Sequence, residues 1–103
     1  MEFNKLVRDK IPQIIKSHGQ NPQTRTLDDV EYITCLEAKL DEEVQEYHQD
    51  KTIEELADIL EVVYALAEGN GHSKEELMTV YQKKHDLRGG FQDRVFLISR
   101  NDG

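Results

Sequence analysis

The sequence predicts an all-α fold: a helical bundle of three longer helices, preceded by a short helix and followed by an extended tail. Three observations carry this. Apolar residues recur at intervals of three and four through the middle of the chain. Two Ser/Thr-x-x-Glu patterns, Thr52-Ile53-Glu54-Glu55 and Ser73-Lys74-Glu75-Glu76, mark helix starts. Glycine pairs at Gly69-Asn70-Gly71 and Gly89-Gly90 mark helix ends.

Taken in order, Lys5-Leu6-Val7-Arg8-Asp9-Lys10-Ile11-Pro12 leads into the short helix. Pro12 suits a first helical position, Ile14 and Ile15 give an apolar side, and Gly19 is a natural stop. Gly19 to Thr26, with Asn21-Pro22, reads as a loop. From about Leu27 to His48, Ile33, Leu36, Leu40, Val44 and Tyr47 form one helical stripe. The next helix runs from Thr52 to about Glu68 and is expected to bury Leu56, Ile59, Leu60, Val63 and Ala67, with Val62 and Leu66 widening one side. A third runs from Ser73 to about Arg88. The tail Arg94-Val95-Phe96-Leu97-Ile98 is β-prone without an obvious partner strand, so an arm packing on the bundle or on another subunit is expected.

The 103 residues make one domain, 1–103, with a core thin enough to want help from a partner chain. The apolar stretch Val62 to Ala67 is far too short to span a membrane, and Met1-Glu2-Phe3-Asn4-Lys5 has no apolar signal-peptide core. Cys35 is the one cysteine, read as a core or near-core residue of a protein in a reducing compartment; a cytoplasmic location is the expectation. A net charge of −8 argues against general nucleic-acid binding. Seven of the 13 Lys/Arg fall in two segments, Lys5 to Lys10 and Lys83 to Arg94, which become candidate anion contacts.

The chemistry lies in two acidic helical words, Glu42-Glu43-Val44-Gln45-Glu46 and Glu55-Leu56-Ala57-Asp58. Each offers carboxylates at i and i+3, on one side of a helical turn. A short turn between the helices would lay them antiparallel and bring four carboxylates together, which calls for a hard, oxygen-seeking cation such as Mg²⁺ or Mn²⁺. At about 100° per residue, Glu43 lies roughly 60° and Glu46 roughly 120° from the centre of their helix's stripe, on the same side. Glu42 points away, at roughly 160°. On the next helix Glu55 falls inside the widened apolar arc and Asp58 at its margin, where an uncompensated carboxylate is costly. A chain with 21 acids also makes such pairs as solvated surface, and Glu55 has a structural task available as capping partner of Thr52. His18, His48, His72 and His85 show no metal-ligand spacing, and Ser17, Ser73 and Ser99 lack a nucleophile context. Lys83, Lys84 and Arg88 have dipole complementation as an alternative to phosphate contact.

Glu-Glu-x-x-Glu at 42–46 followed by Glu-x-x-Asp at 55–58 resembles the signature of the all-α nucleoside triphosphate pyrophosphohydrolases, among them MazG proteins, dimeric dUTPases and phosphoribosyl-ATP pyrophosphohydrolase. Lys5 to Pro12 and Arg88-Gly89-Gly90-Phe91 are similar to blocks of small stand-alone MazG-like members. The resemblance implies a MazG-like fold and Mg²⁺-dependent hydrolysis of a nucleoside triphosphate to monophosphate and pyrophosphate. It implies metal binding by Glu43, Glu46, Glu55 and Asp58, the four that helix geometry also selects. Phosphate contacts from Lys84, Arg88 and Arg94, and a homodimer or homotetramer, follow from it as expectations. House-cleaning of non-standard or surplus nucleotides is the leading reading. The alternatives are phosphoribosyl-ATP pyrophosphohydrolase activity and a non-catalytic nucleotide-binding or oligomerisation module.

Overall fold

A computed structural model describes residues 4–102. It contains four helices: α1 (Ile11–Ser17), α2 (Asp29–Asp50), α3 (Ile53–Gly69) and α4 (Lys74–Arg88). The described residues form no strand, and none of their helices is long and apolar enough to cross a membrane.

Each start has a local cause. In α1, Pro12 sits in the first turn, where its missing N–H costs nothing. The second helix starts at Asp29, two residues later than the apolar period suggests, because Asp28 and Glu31 form a reciprocal capping box. Asp28 accepts from the Glu31 backbone N–H at 2.8 Å, and Glu31 accepts from that of Asp28 at 3.3 Å. Ser73 and Glu76 do the same for α4. At α3, Thr52 accepts from the Glu55 backbone N–H at 3.4 Å, but no return bond from the Glu55 side chain forms.

Only Lys51 and Thr52 separate α2 from α3. Lys51 takes a left-handed conformation, φ 52°, at the end of α2 and turns the chain back. The result is an antiparallel hairpin, the main packing of the molecule. At its far end the helices come close: a Cβ on Gly69 would lie 2.7 Å from Ile33 Cδ1. Leu36 and Val62 are the buried apolar residues among those described. Cys35 is half-buried, near the core as expected.

The expected buried face of α3 is corrected in part: Val62 is buried and Ile59, Val63, Leu66 and Ala67 are half-buried as expected, but Leu56 and Leu60 are not covered. Leu56 and Leu60 are 44% and 48% exposed, whereas Val62 is buried. The helix is turned by about 100° from the centre of its apolar stripe, so that the Glu55–Val62–Gly69 line faces α2. Its apolar arc is wider than one neighbour covers, and α2 takes the side holding the acids. Beyond that, α4 meets α3 near its own start, where Tyr64 Oη reaches Met78 Sδ at 3.9 Å and Lys74 Nζ lies 4.3 Å from the centre of the Tyr64 ring. The rest of α4 is exposed, and α1 packs on no other described helix. The tail does not pack on the bundle: Val95, Phe96, Leu97 and Ile98 are 76–90% exposed.

The chain is correspondingly open. Its radius of gyration is 18.5 Å, against about 13 Å for a compact domain of this length. It exposes 9640 Å², against roughly 6,000 Å² for a compact monomer of its mass.

Such a small core concentrates stability in few side chains. Leu36→Ala should cost about 2–5 kcal/mol in chemical denaturation. Val30→Ala, at a site 78% exposed, should cost less than about 0.5 kcal/mol. Similar losses from both substitutions would contradict the packing described.

Candidate metal centre

The hairpin brings the acids together near its closed end. Glu43 comes from the second half of α2, Glu55 and Asp58 from the first two turns of α3. One carboxylate oxygen from each of these three lies within 4.8 Å of the other two. A second group, Glu42, Glu43 and Glu46, meets the same criterion and shares Glu43. All four predicted acids therefore gather around Glu43. Glu42 is exposed, yet its carboxylate also reaches Glu43 and Glu46.

Glu43 is the centre of the arrangement. It is 7% exposed, deeper than Val44 or Tyr47 on the predicted stripe. Its Oε2 is buried without a hydrogen-bond partner, and so is Oε2 of Glu55. Two orphaned carboxylate oxygens in one place are costly, because a buried anion needs a partner. Glu55 has also not taken up its capping task, leaving its carboxylate with the acids rather than folded back on Thr52.

Electrostatics report the same crowding. Burial pushes the Glu43 carboxyl above its ordinary range, with hydrogen bonding to Glu46 that favours the protonated Glu43, the Glu46 charge and the Asp58 charge acting the same way. Lys39 pulls it back. Glu55 is raised first by burial, then by the charges of Glu46, Asp58, Asp50 and Glu54. A cluster that resists ionisation alone is one that a cation would relieve.

Two cations already touch it. Lys39 Nζ lies 3.7 Å from Glu43 Oε1 and 3.8 Å from Glu42 Oε1, with its side chain only 19% exposed. Arg8, from the segment before α1, donates through Nη2 to Asp58 Oδ1 at 2.7 Å. Sequence reasoning marked the Lys5–Lys10 segment as an anion contact but did not place it here. Lys39 was missed altogether, although its i, i+3 and i, i+4 spacing to Glu42 and Glu43 was a readable signal.

The donor set fits a hard divalent cation. It is all oxygen, comes from two helices and includes two buried oxygens without partners. Glu43, Glu55 and Asp58 form one group able to hold it, and Glu42, Glu43 and Glu46 another. Lys84, Arg88 and Arg94 are exposed, and none of them forms an ion pair among the described residues. Arg94 is held locally, its backbone N–H donating to Phe91 O at 3.1 Å.

Comparison with known proteins adds little. No family model matches the chain, and no solved structure matches it. An uncharacterized protein of Mycolicibacterium smegmatis is 58% identical over 41 residues, 40% of this chain and 42% of that protein's length. The chain thus spans less than half of that relative.

The crowding has a pH signature. Glutamates whose folded pKa is raised contribute stability that is fully present below the unfolded value of about 4.5 and lost as pH rises through the folded value. Glu31, held down to about 2 mainly by the Arg25 guanidinium, works the other way: its contribution is present above about 4.5 and lost as pH falls toward 2. Metal-free protein should therefore gain stability as pH falls from neutral toward the carboxylate range and lose it again as pH falls below about 4.5. Glu43→Gln with Glu55→Gln should flatten the rise. With Mn²⁺ the first trend should reverse, because protons compete with the ion. Thermal melting across pH, with EDTA or Mn²⁺, checks this; a metal-free curve with no rise as pH falls toward the carboxylate range would contradict it.

Proposed function

We propose that the protein is a Mg²⁺- or Mn²⁺-dependent nucleoside triphosphate pyrophosphohydrolase of the MazG-like kind, acting on non-standard or surplus nucleotides. The observation that carries the reading is the convergence of Glu43, Glu55 and Asp58 oxygens, two of the three residues holding a buried oxygen without a partner. Solvated acidic helices keep their carboxylates apart in water and do not bury them against each other. The order of the sequence blocks, from Lys5 to Phe91, supports the same class.

In this reading Glu43, Glu46, Glu55 and Asp58 hold the ion. When bound, it supplies neutralisation of the triphosphate and acidification of water. The reaction is attack of a water oxygen on the α-phosphorus, with cleavage of the bond to the bridging oxygen and departure of pyrophosphate. Glu43 or Glu46 takes the water's proton, since both border the same carboxylate group. Positive charge is needed for the departing pyrophosphate. Lys84, Arg88 and Arg94 are the residues proposed to supply it, reaching the site from a second copy, because within one chain α4 leads its basic end into solvent.

A homodimer, or a homotetramer built from dimers, accompanies this reading. Leu56 and Leu60 on α3, Val80 and Tyr81 on α4, and the tail from Val95 to Ile98 are exposed in the single chain. Apolar surface on this scale belongs in an interface.

Pyrophosphate release measured over a panel of NTPs, dNTPs and modified nucleotides with Mg²⁺ should find turnover. Asp58→Asn should reduce it by at least about a hundredfold with the fold intact, and Glu42→Gln should have a much smaller effect. Equal loss from both would sink the division between inner and outer acids; no turnover on any nucleotide would favour a non-catalytic module.

Light scattering at micromolar concentration should report a dimer or larger. Deletion from Arg94 onward should weaken assembly. A fully active monomer would refute the oligomer, and unchanged assembly after truncation would remove the tail's part in it.

A further inference from the structure

We infer that Arg8 is a phosphate-contacting residue of this site, held over it by Asp58 until a phosphorylated ligand takes the guanidinium. The inference rests on the metal-dependent reading above. Its starting point is a contact across 50 positions of sequence: Arg8 Nη2 to Asp58 Oδ1, 2.7 Å. An exposed ion pair of this kind contributes little to stability, about 0–1 kcal/mol, so anchoring alone is a weak reason for it. Its location is more informative. Asp58 belongs to the three-oxygen group with Glu43 and Glu55, so the guanidinium stands at the edge of the position that would take the ion.

Two consequences follow from charge and geometry. A divalent cation at Asp58 and a guanidinium bonded to the same carboxylate repel each other, so each weakens the hold of the other. Leu6, Val7, Ile11 and Pro12, on either side of Arg8 in the chain, are partly buried. The guanidinium is 56% exposed and carries five donors in a planar fork, of which Asp58 engages one nitrogen. The remaining donors match two oxygens of a phosphate group. Lys10, exposed two residues on, adds to the positive potential of the same segment.

The exchange predicts opposite effects on two ligands. Arg8→Ala should tighten Mn²⁺ binding without nucleotide by about tenfold, read from the midpoint of a Mn²⁺ titration followed by thermal melting. The same variant should weaken binding of an α,β-methylene nucleoside triphosphate, measured calorimetrically with saturating Mn²⁺, by about tenfold or more, the worth of a charge-assisted contact. Arg8→Lys should keep part of both, since it holds the charge without the fork. It also keeps the test alive should Arg8→Ala fail to fold. A structural anchor would move both affinities in the same direction, and that result overturns the inference. So do unchanged affinities in an Arg8→Ala protein when the wild type responds to Mn²⁺. A wild type whose melting ignores Mn²⁺ overturns the metal-site reading itself, and the inference with it.

Discussion

The structure turns on carboxylates buried between two helices. Glu43 lies where the packing of α2 on α3 would be better served by a leucine, in line with Leu36 two turns earlier on the same helix. Glu55 and Asp58 approach it from α3 within 4.8 Å. Like charges this close, with two oxygens lacking partners, oppose the packing that brings them together. The hairpin can hold them because other forces fix it: the tight turn at Lys51, the close approach at Gly69 and the apolar pair Leu36 and Val62. Strain at one end of the hairpin is thus supported by packing at the other, an arrangement typical of functional sites.

This constraint also explains the openness of the molecule. Facing Glu55 and Asp58 toward α2 spends one side of α3 on the acids and leaves Leu56 and Leu60 turned away from it. The fourth helix covers only the C-terminal part of α3, through Tyr64 and Met78. What remains uncovered is apolar surface on α3, α4 and the tail. A chain with a radius of gyration of 18.5 Å has built one half of a core, and in the proposed assembly a second copy supplies the other half.

Much of this was legible in the residues, and the exceptions are instructive. Helix existence and the approach of Glu43 to Glu55 and Asp58 follow from periodicity and from two acidic words joined by a short turn. The start of α2 slipped by two residues because Asp28 and Glu31 overrule the apolar pattern locally. The rotation of α3 was not legible: a stripe average assigns the buried face to Leu56 and Leu60, whereas a wide arc can be shared between two partners, one of them absent from the sequence pattern of a single chain. Arg8 on Asp58 was also out of reach, since an ion pair across 50 positions has no local signal. Glu55 was ambiguous between cap and ligand, and only the missing return bond to Thr52 separates the two.

Charge balance ties these features together. Glu42, Glu43, Glu46, Glu55 and Asp58 carry more negative charge than Lys39 and Arg8 offset, and a divalent cation would reduce the excess. Adding a triphosphate then changes the balance again, because it brings more negative charge than the ion carries. Arg8 moving from Asp58 to a phosphate redistributes positive charge but adds none. The extra cations must come from elsewhere, and Lys84, Arg88 and Arg94 have no acidic partners of their own among the described residues. In the proposed reaction the hairpin would hold the ion while the triphosphate would require further cations, which would give the proposed second copy a chemical role beyond covering apolar surface.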